Sequence, residues 1–295
     1  MSVPLPLMIQ KSERKGELFA LLLSVLEGLF PILSLITVSA LGGVTAYLYT
    51  IIIATLIFLL LLFYKNKAKE LLRFDAYKDL LLTSLYITLL FGALFISLNY
   101  TSPANVAVIM ILQLFFSYLY FHIIGSQKMK ALHTFGAMLM GGGAIIILFP
   151  EDFALNKGDL LVLFASAIAP IANLYQKRAR EKVSSITIMS FRNLVAIPFL
   201  ILIAFTFESP SNPLESLHVS ITLILNALLV FVMAKILWVE ALHHISITKL
   251  SALVTLIPIF TIGFSFVLLG DIPSLRQVLG MAPILIGAIL ITRRY

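Results

Sequence analysis

The chain contains no cysteine, a single tryptophan and few charges, with Asp, Glu, Lys and Arg making up 12% of its 295 residues. Without cysteine there can be no disulfide, no thiolate metal site and no cysteine nucleophile. A soluble domain carries roughly a quarter of its residues charged. That shortfall, with 60% hydrophobic residues and a mean hydropathy of +1.05, excludes an ordinary soluble fold. Fifteen Gly and twelve Pro are too few for collagen-like or low-complexity sequence, and the apolar content is far above that of a disordered chain. Also absent are a Walker loop, His-Glu-x-x-His, Gly-x-Ser-x-Gly and the paired aspartates of a metal-pyrophosphate site. The expectation is therefore no enzyme, no cofactor and no metal. Any transport would be secondary, driven by solute or proton gradients.

What is abundant is uninterrupted apolar sequence. Ten runs are long enough to cross a bilayer as helices: 17–39, 43–64, 79–98, 102–121, 131–149, 158–177, 185–206, 219–241, 247–269 and 275–292. Stretches such as Ile51 to Phe63 are apolar at nearly every position, where barrel strands would alternate. The fold class is thus an all-α polytopic membrane protein. The first run is too long for a cleaved signal peptide, and no small-residue cleavage site follows it.

The net charge of +7 acquires a meaning once its residues are sorted by loop. Lys11, Arg14, Lys15, Lys65, Lys67, Lys69, Arg73, Lys78, Lys128, Lys130, Lys177, Arg178, Arg180, Lys182, Lys249, Arg293 and Arg294 all fall on one side of a ten-span topology. Lys157 and Arg276 fall on the other, and Arg192 and Lys235 lie within spans. Short cytoplasmic loops are enriched in Lys and Arg. Both termini are expected to be cytoplasmic, in the inner membrane of a prokaryote, and the basic excess gives no reason to expect nucleic acid.

The two halves are related. At an offset of 144, Leu98, Ser102, Leu112, Gly136, Gly143, Ala144 and Ile145 match Leu242, Ser246, Leu256, Gly280, Gly287, Ala288 and Ile289. Lys15-Gly16-Glu17-Leu18 matches Lys157-Gly158-Asp159-Leu160 at 142, and Gly125 matches Gly270 at 145. Five spans per half force the copies into opposite orientations, the inverted repeat of secondary transporters. The expected organisation is a cytoplasmic segment 1–16, a first five-helix repeat 17–149, an external linker 150–157 and a second five-helix repeat 158–292.

The stretch Ser97 to Ala107 (SLNYTSPANVA), and its second copy from Ala241 through Ser246 to Pro258 with Gly270-Asp271, Gly280 and Gly287 beyond, resembles EamA-type members of the drug/metabolite transporter superfamily. The resemblance spans nearly the whole chain. It implies alternating-access movement of a small solute through a central cavity. The chain departs from the family's habits where Gln113-Leu114 and Ile257-Pro258 replace Glu-Pro, where Ser126 follows Gly125, and where Glu27 stands in place of a frequent Trp.

Charges inside spans are the first candidates for the site, since each costs about 2.5 to 3.5 kcal/mol at mid-bilayer even on lenient scales. Glu27 lies mid-way along the first span, on one face with Ser24, Pro31 and Ser34. Pro31 cannot donate to the carbonyl of residue 27. Glu27 could bind a proton or a substrate amine, or be satisfied structurally by a lysine or by neighbouring helices. Lys235, one turn from Trp238, could contact an anion, pair with Glu27 or snorkel to the interface. Arg192 is shallower and reads as a snorkelling side chain or as the alternative partner of Glu27. Asn105, Gln113 and Tyr120 in span 4, and Ser166, Pro170, Asn173 and Lys177 in span 6, form polar faces. Glycines 136, 141, 142, 143, 280 and 287 read as close-packing positions.

The expected substrate-binding or proton-coupling set is therefore Glu27, Lys235, Asn105, Gln113, Asn173, Trp238 and Arg192. The function expected of it is secondary transport of a small polar or amphipathic metabolite, such as an amino acid, with export favoured through the family resemblance. Its partners would be that solute, the lipid bilayer and protons. Import of a nucleotide-like or cationic cofactor such as S-adenosylmethionine stays open, as does a membrane-embedded enzyme or lipid scramblase.

Overall fold

The computed structural model describes residues 5–120, 131–148, 156–208 and 217–292. Gly125, Ser126, Lys128, Lys130, Arg293, Arg294 and the expected linker at 150–155 lie outside them. Ten helical rods run through the described residues, which contain no strand. They are α1 (Leu5–Gly28 continued by Phe30–Leu41), α2 (Gly43–Tyr64), α3 (Tyr77–Ser97), α4 (Pro103–Met110 and Leu112–Tyr118) and α5 (Ala131–Leu148). The second half supplies α6 (Lys157–Arg180), α7 (Ser185–Phe207), α8 (Leu217–Leu225, Asn226–Ala234 and Lys235–His244), α9 (Ile247–Leu253, Val254–Leu256 and Ile257–Leu269) and α10 (Leu275–Thr292). Among the described residues six helices are long and apolar enough to cross a membrane, and three shorter apolar ones accompany them.

The helix boundaries follow the apolar runs closely, with one clear difference. Helix α1 starts at Leu5, so much of the expected cytoplasmic segment is helical. Its polar first turns are held by neighbours in the second half: Ser12 Oγ meets His244 Nδ1 at 2.9 Å, and Lys249 Nζ pairs with Glu13 at 2.6 Å and Glu17 at 2.5 Å.

The contacts between helices come in repeat-related pairs. Helix α1 packs on α8 and α9, and its counterpart α6 packs on α3 and α4, while α2 with α7 and α5 with α10 meet across the centre. Glycine explains the last pair. A Cβ on Gly143 would sit 2.5 Å from the Gly280 carbonyl oxygen, and one on Gly287 would collide with the Gly136 carbonyl, so the two backbones touch. Gly141 and Gly142 do not share this role, because nothing lies within 4 Å of where their Cβ would be.

The α2–α7 pair is fastened at both ends by carboxylates that change halves. Glu208, just after α7, accepts from Val44 N at 2.9 Å, Thr45 N at 2.8 Å and Thr45 Oγ1 at 2.7 Å, at the start of α2. Gly42, at φ 87°, both turns the chain there and leaves room for the carboxylate. At the opposite end Glu70, in the connection between α2 and α3, accepts from Ser184 N at 2.6 Å and Thr187 Oγ1 at 2.8 Å at the start of α7. Each carboxylate thereby satisfies helix N-terminal donors that have no partner within their own helix.

Burial pushes the Glu70 carboxyl up, and donors from Lys67, Ser184 and Thr187 outweigh it, holding it down at about 2. A carboxyl depressed on folding contributes stability above its unfolded value, roughly 4.3, and loses it as pH falls toward 2. Thermal unfolding in detergent from pH 5 to pH 2.5 is therefore expected to show a loss of stability in the parent that is smaller in Glu70→Gln. Gly143→Ala is expected to lower the melting temperature by forcing α5 from α10, whereas Gly142→Ala leaves it unchanged or raises it.

Candidate functional site

The helices around the centre are irregular at mid-depth. Leu29 interrupts α1 two residues before Pro31, and Ile111 interrupts α4. A π-helical stretch, Asn226–Ala234, turns α8 just before Lys235, and a 3₁₀ turn, Val254–Leu256, breaks α9. Position 255 is the repeat partner of 111, so the two halves break at matching points. Non-helical backbone at membrane depth is tolerated where it borders a cavity or is buried in protein.

The cavity is there. It holds about 80 Å³, with walls from α1, α3, α4, α6, α7, α8 and α9. Six of the seven expected residues line it: Glu27, Gln113, Asn173, Arg192, Lys235 and Trp238. Lys235 Nζ hydrogen-bonds and ion-pairs with Glu27 Oε1, and both residues are buried. The lysine therefore neither snorkels nor waits free for an anion. Its ammonium also lies 4.4 Å from the centre of the Phe91 ring and 5.9 Å from Trp238, a cation held by a carboxylate and aromatic faces together.

Arg192 departs from its expected place. It is 3% exposed, with Nη1 donating to Gln176 Oε1 at 2.9 Å and Nε to Asn193 Oδ1 at 3.4 Å. The interface is out of its reach because α7 aims it inward, where the amides of Gln176 and Asn193 hold it. Asn173 Oδ1 accepts from Trp238 Nε1 at 2.9 Å, bracing α6 against α8.

Asn105 is the residue the structure keeps apart. It stands eight residues before Gln113, about 12 Å along the helix axis. Its amide donates to Asp159 at 3.2 Å and accepts from Gln277 Nε2 at 2.8 Å, joining the ends of α4, α6 and α10 away from the cavity. Lys177 likewise turns away, donating to the carbonyls of Leu242 and Ile245. Gln176, which lines the cavity and holds Arg192, is the residue that the sequence reading missed. It lies three residues after Asn173, so an i, i+3 step along the polar face of α6 would have found it where an i, i+4 step led to Lys177.

The cavity sits on the relation between the halves. Glu27 and Ala169, Pro31 and Asn173, Phe91 and Lys235, Leu94 and Trp238, and Gln113 and Ile257 are each repeat partners, and all of them line it. In each pair one member is polar or can donate a hydrogen bond and the other is apolar. The positions repeat while their chemistry does not.

The EamA-like transporter family pattern matches residues 14–149 and again residues 156–293. The chain belongs to the EamA-like transporter family. An uncharacterized transporter of Haemophilus influenzae is similar at 28% identity over 85% of this chain and 83% of its own length. Another from Archaeoglobus fulgidus is 23% identical over 70% of this chain and 73% of its own. A solved structure titled only as a crystal structure of protein superimposes with a TM-score of 0.71 at 14% identity, covering 94% of this chain and 96% of that one, and shares the fold. This EamA-like chain is thus a multi-pass membrane transporter of a small molecule and not an enzyme.

Removing one member of a buried ion pair leaves the other charge uncompensated, at a cost of about 3 to 5 kcal/mol. Lys235→Met alone is expected to lower stability sharply in detergent. The double variant Glu27→Gln with Lys235→Met should recover most of that loss, and a coupling near zero in the double-mutant cycle would contradict the pairing.

Proposed function

We propose that this EamA-like chain is a secondary transporter of a small polar or amphipathic metabolite, an amino acid or related compound. It would work by alternating access across the cytoplasmic membrane of a prokaryote, with both termini in the cytoplasm. The observation that carries this reading is the Glu27–Lys235 pair inside a cavity lined by repeat-related positions. Buried charges in membrane helices mark solute or ion paths, and inverted halves with matching helix breaks have two nearly equivalent packings about such a point.

The place of the cavity bears on mechanism. Its walls come from both halves, α1, α3 and α4 of the first and α6 to α9 of the second, and the Glu27–Lys235 pair lines it. Parting Glu27 from Lys235, by a proton on Glu27 or by the polar groups of the solute, couples binding to movement of α1 against α8. Those helices belong to opposite halves, so the same event lets one repeat rock against the other.

Proteoliposome uptake with a metabolite panel, run with and without an imposed pH gradient, tests this. Flux of one solute class in the parent chain is expected. Glu27→Gln should reduce that flux and remove its dependence on the pH gradient. Unchanged flux and unchanged pH dependence in Glu27→Gln would rule out the proton role.

A further inference from the structure

The charges around the central cavity do not balance. One carboxylate, Glu27, faces two cations, Lys235 and Arg192, and its ion pair is with Lys235. Among the described residues no carboxylate forms an ion pair with Arg192, whose hydrogen bonds go to the neutral amides of Gln176 and Asn193. A guanidinium cannot relieve this by losing its proton. A buried charge is ordinarily paired, so the second cation is the group that lacks its counterpart.

Hydrogen-bonding capacity around Arg192 is lopsided in the same sense. The Asn173 carbonyl is taken by Trp238 and the Gln176 carbonyl by Arg192, which leaves the NH₂ groups of both amides to face a ligand. Asn193 Nδ2, beside Arg192, is buried without an acceptor. Arg192 itself carries five donor hydrogens and uses two groups. Around Arg192 the polar groups of α6 and α7 thus offer mainly donors, while Gln113 and the carboxylate of Glu27 supply acceptors elsewhere on the wall. The facing part, Phe30, Phe91, Leu94, Met110 and Ile257, is apolar.

We propose that the solute recognised by this cavity carries one net negative charge, with its carboxylate or other monoanionic head on Arg192 and its apolar body against α3, α4 and α9. The inference rests on the transport reading and, within it, moves the solute from a zwitterionic amino acid to a small organic monoanion. A zwitterion would leave one positive charge over, and an amine would leave two. Lys235, expected from sequence to contact the anion, keeps its ammonium on Glu27, and Arg192 takes that role. With its head on Arg192 of α7 and Gln176 of α6, an amphipathic acid would lie with its body toward Phe91, Leu94 and Ile257.

The single tryptophan provides the readout, since Trp238 lines the cavity. Its fluorescence in the purified full-length chain is titrated at pH 7 with butyrate, butyramide, butylamine and 2-aminobutyrate, which share a four-carbon body and differ in charge. Butyrate is expected to bind most tightly. Arg192→Gln should weaken it by about tenfold or more, the range of a lost charge-assisted hydrogen bond. Arg192→Lys, which keeps the charge, should retain part of the affinity and controls for folding. Tighter binding of the amine, the amide or the zwitterion, or unchanged butyrate binding in Arg192→Gln, would overturn the proposal. Flux measurements on the same probes separate it from the transport reading. Arg192-dependent binding of butyrate that never yields flux keeps the anion site and removes transport, whereas flux of zwitterions or amines untouched by Arg192→Gln keeps transport and removes the anion site.

Discussion

The interior of a bilayer offers a polar group nothing to bond with, and the rest of this structure can be read from how the chain meets that constraint. Glu27 and Lys235 satisfy it by pairing across two helices from opposite halves. The pairing requires α1 and α8 to present those side chains at one depth, and the interruption at Leu29 and the π-helical stretch before Lys235 lie beside the two positions. Rings of Phe91, Phe231 and Trp238 lie around the ammonium and lower the cost of its burial. The cavity, the broken helices and the aromatic cluster are all arranged around one ion pair.

Much of this was legible in the sequence, because a bilayer imposes rules that act one residue at a time. Continuous apolar runs gave ten helices whose ends mostly fall within a few residues of those observed. The missing amide of Pro31 marked the break in α1. Glu27, Lys235, Gln113, Asn173 and Trp238 stood out because a polar side chain at mid-span must face protein or water. What the sequence could not supply was direction and depth. Arg192 sits where a long side chain could run to the interface, and only the packing of α6 beside α7 turns it inward. Asn105 and Gln113 share a helical face in projection, yet Gln113 lines the central cavity while Asn105 joins helix ends. Gln176 was hidden by the ambiguity between three and four residues per step. The polar stretch of α1 from Ser12 to Glu17 meets Lys249 and His244, more than two hundred residues away.

The repeat adds a second lesson. Offsets of 142 and 144 were visible as scattered identities, which is how gene-scale symmetry ordinarily shows itself in sequence. In three dimensions the informative positions are those where the identity has been lost. Phe91 opposite Lys235 and Ala169 opposite Glu27 show repeat-related positions that have specialised, while α4 and α9 keep breaks at matching points. The lining of the cavity therefore differs chemically between positions that the repeat relates.

The exchanged carboxylates have a consequence for how the protein is made. Helix α2 emerges from the ribosome with its first amides bare, and the group that bonds them, Glu208, is synthesised more than 160 residues later. Helix α7 receives Glu70 from a loop that is already in place. The first half therefore reaches the membrane as an unfinished template and the second half arrives to a prepared dock. Synthesis runs in one direction across a molecule built of two related halves, and the first amides of α2 meet their carboxylate only once translation has reached Glu208.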